Sequence, residues 1–289
     1  MDILLQGLGY HYPGGADGEA VLALDRVDLA ITAGQGVALV GANGSGKTTL
    51  LMHLDGLLRP TRGRVLIGGE DAAGLRVARL AALVGLCFAD PDRQLFKSSV
   101  RGEVEFGPRQ LGHSPGRRRR AVEAALAATD LSDAAERNPF DLGLSRRRLV
   151  ALASVLAMET PIVALDEPTA GLDAADRARV QVVIAGLLSE GRTVIAASHD
   201  MRFVAESFAR AVVLRAGRVT LDGNPAAAFG KPSWELLAQA GLEPPEAAVV
   251  GARLGLGATP TDAELVAALQ AKHHGRGSIR QGAGNPSAT

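Results

Sequence analysis

A glycine-rich segment, Gly41 to Thr48, restricts the possible fold of this chain more than any other feature. It reads Gly-Ala-Asn-Gly-Ser-Gly-Lys-Thr and matches the P-loop pattern, in which glycines let the backbone curl until its N–H groups point at phosphate oxygens. It follows the apolar run 36–40 and precedes a helical pattern that starts at Thr49. Because such a loop joins a buried strand to a helix, the sequence predicts an α/β fold.

The residues of this loop have separate expected roles. Lys47 is predicted to reach the β- and γ-phosphates of ATP, and the Thr48 hydroxyl is predicted to ligate Mg²⁺. The other expected ATP-binding residues of the segment are Gly41, Asn43, Gly44, Ser45, Gly46 and Thr49. A glycine-rich turn without a ligand is the alternative, and the strand before it and the helix after it favour the phosphate site.

Two carboxylates end a later apolar run, 162–165, which is typical of a buried strand. Ligands bind at the carboxyl ends of strands in doubly wound sheets, so Asp166 and Glu167 are expected at the site. Asp166 is predicted to hold Mg²⁺ through water, and Glu167 to polarise the water that attacks the γ-phosphorus. Taken alone, the pair is equally compatible with a solvated turn after a strand.

Two further side chains are candidates for the same site. His199 follows the apolar run 193–198, so we expect it at the same sheet edge, contacting the γ-phosphate and orienting the water. Tyr10 and Tyr12 alternate and therefore share one face of an N-terminal strand, where Tyr12 is predicted to stack on adenine. For the tyrosines, an ordinary structural role is the alternative.

Short apolar runs alternate with helical patterns along most of the chain, which predicts a parallel sheet covered on both faces. A mostly helical stretch, about 92–160, interrupts this alternation and is interpreted as an inserted subdomain. We assign 2–225 to the main domain and 226–272 to a small C-terminal appendage. The Gly-, Ser- and Pro-rich residues 273–289 are predicted to be a disordered tail.

Composition excludes several other classes of protein. Lys plus Arg and Asp plus Glu are both 31, so the chain has no bulk attraction for nucleic acid or for an anionic membrane. The single cysteine, Cys87, excludes an intrachain disulfide and is expected to be buried and reduced. No apolar run approaches the roughly 18 residues of a membrane span, and no secretory signal is visible. Any link to a membrane is therefore expected to go through a partner.

In this order, the motifs resemble those of ABC-transporter ATPases. The matching segments are Gly41–Thr48, the run Asp166-Glu167-Pro168-Thr169, the D-loop Ala170–Asp173, and His199. The chain looks most similar to ATPase subunits of energy-coupling-factor importers, the cobalt and nickel type included. The residues behind this narrower resemblance are Tyr12-Pro13, the run Asp90-Pro-Asp-Arg-Gln-Leu-Phe96, and Ala157-Met-Glu159.

The resemblance implies a P-loop NTPase of the ABC-ATPase type. We expect a RecA-like mixed-sheet core, an inserted α-helical subdomain, and a small C-terminal helical appendage that is a candidate for dimerisation. In such proteins two nucleotide domains meet head to tail, and ATP lies between the P-loop of one and a signature motif of the other. The implied partners are a second ATPase subunit, a transmembrane coupling protein and a substrate-binding membrane protein, with the chain peripheral at the cytoplasmic face of the cell membrane.

Two positions depart from the family pattern. Where the family has Leu-Ser-Gly-Gly-Gln, this chain has Leu142-Gly143-Leu144-Ser145-Arg146 when aligned through the helix 150–153. The alternative alignment starts at Leu144-Ser145, needs a two-residue deletion and has arginines in place of the glycines, so the double glycine is missing in either register. Glycine lets N–H groups approach a γ-phosphate closely, and a larger side chain obstructs them. We interpret Ser145 as a helix N-cap and arginines 146–148 as solvated. The Q-loop glutamine is replaced by Ala89, which cannot ligate Mg²⁺; Asp90 is the alternative ligand.

These losses predict a heterodimer. The altered signature impairs the ATP of the partner, while Ala89 weakens the site of this chain, so a more typical second subunit is needed to complete the site around Lys47 and Glu167. Two other functions stay open: a mainly regulatory ATP-binding half with weak hydrolysis, and a non-transport ABC ATPase. The neutral charge argues against nucleic acid as a partner. The sequence does not identify the transported substrate, and it does not decide between import and export.

Overall fold

A computed structural model describes residues 1–14 and 18–280 of the chain, with side chains up to residue 274. The strands in this part are, in chain order, β1 (Ile3–Tyr12), β2 (Val21–Ile31), β3 (Gly36–Val40), β4 (Arg62–Ile67), β5 (Glu70–Asp71), β6 (Val84–Cys87), β7 (Ile162–Asp166), β8 (Thr193–Ser198), β9 (Arg210–Arg215) and β10 (Arg218–Gly223). The α-helices are α1 (Lys47–Leu54), α2 (Val77–Ala81), α3 (Val100–Gln110), α4 (Pro115–Ala128), α5 (Leu144–Leu156), α6 (Ala174–Ser189), α7 (Met201–Ser207), α8 (Pro225–Phe229), α9 (Trp234–Gln239), α10 (Glu246–Arg253) and α11 (Asp262–Arg280).

The larger sheet has six strands in the order β10-β9-β3-β8-β7-β6. All neighbours are parallel except the antiparallel β10–β9 hairpin. All five residues of β3 are buried, and its side chains alternate between two hydrophobic clusters: Ala38 and Val40 face one, Val37 and Leu39 the other. Both faces of the sheet are therefore covered, as the continuous apolar strands predicted.

Strand register at the carboxyl edge of this sheet positions the site. Val40 at the end of β3 is paired with Ser198 at the end of β8, and Asp166 at the end of β7 is paired with Ala197. The three strands therefore end side by side, and the segments that follow them start from one edge. This is the arrangement that parallel strands with helical crossovers produce.

A second, antiparallel sheet of four strands, in the order β2-β1-β4-β5, packs on one face of the larger sheet. Some of its strands were predicted from the sequence, but their grouping as a separate sheet was not. Tyr10 and Tyr12 at the end of β1 do share a face, with ring centroids 4.9 Å apart in an edge-to-face arrangement. This end of β1 lies along α1, because Tyr10 also stacks edge-on with His53 in the last turn of that helix, again at 4.9 Å.

Helices α3, α4 and α5 lie between β6 and β7 and form the inserted helical subdomain. A short turn, Pro91–Arg93, leads into it from β6. Gln94 joins this turn to α5: its Nε2 donates to the Ala151 carbonyl oxygen at 2.8 Å and to Ser154 Oγ at 2.9 Å. At the end of β6, Cys87 is buried, which raises the pKa of its thiol to about 12 and keeps it protonated.

The C-terminal appendage consists of α8 to α11 and packs on the main domain through Phe229, which is fully buried. Trp234 supports it, because its Nε1 donates to the Phe229 carbonyl oxygen at 2.8 Å. Helix α11 continues to Arg280 and so includes the start of the tail predicted to be disordered from residue 273; residues 281–289 lie outside the described part. No described helix combines the length and apolar character that a bilayer span requires.

Candidate functional site

The glycine-rich loop lies between β3 and α1, as its sequence predicted. At two of its glycines there is no room for a side chain. A Cβ on Gly41 would lie 2.4 Å from the Leu214 carbonyl oxygen, and one on Gly46 would lie 2.6 Å from the Ala23 carbonyl oxygen. Gly46 also has φ +105°, which L residues rarely adopt. The loop can therefore keep its curl only with glycine at these positions.

Lys47 starts α1 and is buried, with 6% of its side chain exposed. Its Nζ donates to the carbonyl oxygens of Gly41 at 2.7 Å and Ala42 at 3.3 Å, and lies 3.8 Å from Glu167 Oε1. Burial lowers the pKa of Lys47, and the nearby carboxylates partly oppose that shift. The ammonium group is thus held inside the loop, where a phosphate would compete with the two carbonyl oxygens for it.

Thr48 and Asp166 form the second part of the site. The Thr48 hydroxyl donates to both carboxylate oxygens of Asp166, at 2.9 and 3.1 Å. Asp166 is buried, which raises its pKa, although the hydrogen bond from Thr48 opposes this. A hydroxyl and a carboxylate are hard oxygen ligands of the kind Mg²⁺ prefers, so the donor set fits the predicted metal.

Glu167 and His199 are in direct contact. His199 Nδ1 lies 2.8 Å from Glu167 Oε2, and the His199 backbone N–H donates to the same oxygen at 3.4 Å. This contact uses Nδ1 of the ring, which leaves Nε2 for another partner. Glu167 has φ 49°, a conformation that costs energy for a side chain with a Cβ, and its N–H donates to the Ala197 carbonyl oxygen at 2.9 Å.

A cavity of about 290 Å³ lies beside the loop and the two carboxylates and has a polar and an apolar end; His199 is not among the residues that line it. At the polar end are residues 43–49, Asp166 and Glu167, which include the predicted Asn43, Gly44 and Ser45. At the apolar end Tyr12, with its hydroxyl 3.2 Å from Thr49 Oγ1, lies beside Val21 and Leu22. Val21 and Leu22 were not predicted from the sequence; their pairing with Tyr12 and His11 across β1 and β2 brings them there.

Ala89, predicted to occupy the position of the Q-loop glutamine, lines the cavity beside Asp166 and Glu167. Asp90 is not among the lining residues. Its carboxylate instead accepts from the Asp92 N–H at 3.1 Å and caps the turn Pro91–Arg93. The alternative that Asp90 replaces the glutamine as a metal ligand is therefore not supported by its position.

The altered signature segment begins α5, and the expected cap was wrong. The N-cap is Gly143, which provides no side-chain hydrogen bond, while Ser145 lies inside the helix and donates to Asp176 Oδ2 at 2.5 Å. The arginines are not freely solvated either: Arg146 pairs with Asp133, and Arg147 pairs with Asp92 at 3.1 Å. Leu144, 46% exposed, presents its side chain at the start of the helix.

The chain is similar to known ATP-binding subunits of transporters. A family profile described as ABC transporter matches residues 24–170. The cobalt import ATP-binding protein CbiO of Rhodobacter capsulatus is 41% identical over 242 residues, which are 83% of this chain and 84% of that protein. The energy-coupling factor transporter ATP-binding protein EcfA of Carboxydothermus hydrogenoformans is 39% identical over 245 residues, 85% of this chain and 88% of that protein.

Solved structures show the same similarity. The structure of CbiO1 from Clostridium perfringens, described as part of the ABC transporter complex CbiONQ, is 33% identical, with a TM-score of 0.69 over 80% of this chain and 91% of its own. The ATP-binding cassette MJ0796, a dimer in a post-hydrolysis state with ADP and Pi, is 26% identical with a TM-score of 0.71, over 77% of this chain and 98% of its own.

Proposed function

This chain belongs to the ABC transporter ATP-binding family, and we propose that it drives an energy-coupling-factor importer of a metal ion or a vitamin. As a member of that family it is an ATPase that hydrolyses ATP to drive transport. The family and its fold confirm the prediction from the sequence. The narrower proposal is supported by relatives named for cobalt import and for energy coupling, each about 40% identical over more than four fifths of the chain.

The observation that carries the proposed mechanism is the contact between Lys47, Glu167 and His199 at one sheet edge. In our proposal the loop N–H groups and Lys47 bind the β- and γ-phosphates, and Thr48 with Asp166 holds Mg²⁺, which neutralises phosphate charge when bound. Glu167 then accepts a proton from the attacking water. His199 orients the carboxylate through Nδ1 and leaves Nε2 directed toward the γ-phosphate.

The adenine is proposed to bind at the apolar end of the cavity. There Tyr12 is 36% exposed, and the neighbouring Val21 and Leu22 are 62% and 47% exposed. Exposed apolar side chains beside a polar phosphate site match the two halves of a nucleotide. We propose that the exposed part of the Tyr12 ring, whose hydroxyl contacts Thr49, stacks on the adenine.

The proposed partners are inferred from the segments of the chain that do not contribute to its own ATP site. We propose that a second ABC ATPase with an intact signature completes the site around Lys47, because the signature segment here has Leu144 and Ser145 where glycines are needed. The helical subdomain would contact a transmembrane coupling protein, and a separate membrane protein would bind the substrate. The chain would then lie peripherally at the cytoplasmic face of the membrane, with the appendage as a dimerisation element.

The test is ATP-driven uptake by the assembled transporter. The chain is combined with its candidate membrane proteins and a second ATPase in liposomes, and uptake of Co²⁺ is measured with and without ATP. We expect uptake that needs ATP and is lost with Glu167→Gln. ATP hydrolysis by the chain is measured alone and with the second ATPase; full activity alone, abolished by Glu167→Gln, would refute the need for a heterodimer.

A mainly regulatory ATP-binding role is the second candidate, and Ala89 in the wall of the cavity is the observation in its favour. Single-turnover hydrolysis in the assembled complex separates the two functions. A catalytic subunit converts its bound ATP within the turnover time of the complex. A regulatory subunit keeps its ATP over many turnovers of the partner site.

A further inference from the structure

A small cavity lies behind the catalytic carboxylates, between the end of β6 and helix α5. Its volume is about 10 Å³, close to the minimum that one water molecule requires. Ala89, Arg148 and Glu167 contribute to its wall, together with Asp166. The rest of the wall is mostly apolar, so Arg148, Asp166 and Glu167 are the charged side chains to which a single water molecule there would bind.

Arg148 differs from the two arginines that precede it. Arg146 and Arg147 each have a carboxylate partner, although the Nε atom of Arg147 is also buried without an acceptor among the described residues. The Nε and Nη1 atoms of Arg148 are buried and have no hydrogen-bond acceptor among the described residues. Buried guanidinium donors are costly to leave unsatisfied, so this side chain requires an acceptor that the protein itself does not supply.

The position of Arg148 is also well defined by packing. Its Nη1 lies 2.6 Å from where a Cβ on Gly171 would be, so the guanidinium packs directly on the backbone of the D-loop. Ala89, at the position where the family pattern has a glutamine, lines the same small cavity. An alanine in place of glutamine leaves room for one small polar group beside Glu167.

We propose that Arg148 is a positioning residue for ATP hydrolysis, holding one water molecule in this cavity against the Glu167 carboxylate. The guanidinium donates to the water oxygen, and the water donates to the carboxylate, so the orientation of Glu167 is set through the water. The pair of Arg148 and water thereby takes the place of the side chain lost at position 89. This inference rests on the proposed hydrolysis of ATP at the Lys47 site.

The test uses Arg148→Met and Arg148→Gln in the assembled ATPase complex, with kcat and the KM for ATP measured separately. We expect each variant to lower kcat about tenfold and to change KM by less than twofold, because the side chain orients the base and does not contact ATP. The control is Arg210→Met, which removes a half-buried arginine paired with Asp222 at 2.6 Å at the far edge of the sheet. That variant is expected to keep kcat.

A second substitution makes the test specific. Ala89→Gln is added to Arg148→Met, so that an amide fills the cavity and hydrogen-bonds to Glu167. We expect the double variant to recover most of the lost kcat. A wild-type kcat in both Arg148 variants, or a double variant as slow as Arg148→Met, would overturn the inference while leaving ATP hydrolysis in place; an inactive wild-type complex would overturn the proposed function as well.

Discussion

The phosphate loop and the signature segment of this chain use their side chains in opposite ways. Around the loop, Lys47, Thr48 and Asp166 point into one cavity, and their hydrogen bonds are to groups that ATP and Mg²⁺ would replace or join. In the signature segment, the polar side chains are bound within the chain: Ser145 to Asp176 and Arg146 to Asp133. The residues predicted to bind the chain's own nucleotide are thus present except at Ala89, whereas the signature segment lacks both glycines.

The difference bears on the proposed need for a second ATPase subunit. A signature motif acts on the nucleotide of the other subunit through exposed backbone N–H groups, and these need small residues. Leu144 occupies the start of α5 and is 46% exposed, so packing does not require a glycine at this position. The loop cannot change in this way, because a Cβ on Gly41 or Gly46 would clash with backbone oxygens.

The largest effect on ATP hydrolysis is expected from a substitution beside the phosphate loop. Glu167→Gln removes the general base and should lower kcat by roughly 10²–10⁴-fold, with ATP binding retained. Hydrolysis is measured in the assembled complex, and ATP binding by fluorescence of a labelled nucleotide. Glu190→Gln, which loses an exposed carboxylate at the end of α6, is the matched control. If the Glu167→Gln variant still hydrolyses ATP at the wild-type rate, the site around the phosphate loop is not the site of hydrolysis.

Restoring the signature segment should give the next largest effect. The combined change Gly143→Ser, Leu144→Gly, Ser145→Gly and Arg146→Gln should raise ATP hydrolysis by the chain alone about tenfold or more, because it returns donors for the phosphate of a second copy. Space allows the serine, since a Cβ on Gly143 meets no atom within 4 Å. Adding Glu167→Gln must abolish the gain. If ATP hydrolysis by the chain alone stays unchanged, the altered signature segment is not the reason why the chain needs a second ATPase subunit.

A smaller effect is expected at the apolar end of the nucleotide cavity. Tyr12→Ala removes the stacking surface and should weaken ATP binding about tenfold, within the roughly 1–3 kcal/mol that base stacking contributes. Tyr12→Phe keeps the ring and loses only the 3.2 Å contact with Thr49, so it should change affinity less than threefold. Titration of both variants with ATP checks this. Equal losses in the two would assign the effect to the hydroxyl.

The smallest effect concerns stability at the end of α1, the helix that follows the loop. Burial raises the pKa of Asp55 from 3.8 to about 6, so the folded protein favours its protonated form. This contribution to stability is complete below pH 3.8 and is lost as the pH rises through 6. Asp55→Asn should therefore raise the melting temperature at pH 7.5 by about 2–4 °C, and the gain should shrink toward pH 4.5.

The Asp55→Asn substitution isolates the charge, because the new amide oxygen can still accept the 3.0 Å hydrogen bond that the Leu57 N–H donates to Asp55. ATP hydrolysis should not change, since Asp55 is outside both compared regions. A melting temperature that is lower than wild type at pH 7.5 would mean that the ionised carboxylate stabilises the helix end.

Much of the candidate site followed from short segments of sequence. The loop Gly41–Thr48, the strand ending in Asp166 and the strand before His199 each contain their own signal, because glycine content and apolar runs act within a few residues. Parallel strands with crossovers must end at a common edge, so their convergence was also predictable. The family resemblance depended on the same segments in the same order.

The tertiary structure alone decided which side chains meet across long intervals. The contact of Tyr12 with Thr49, the bond of Ser145 to Asp176 and the burial of Arg148 against Gly171 have no local signal. Three consecutive arginines look alike in a sequence, yet two find carboxylates and the third is turned inward. The environments of the three arginine side chains differ because they are determined by packing between separate elements and not by the chemistry of the residue.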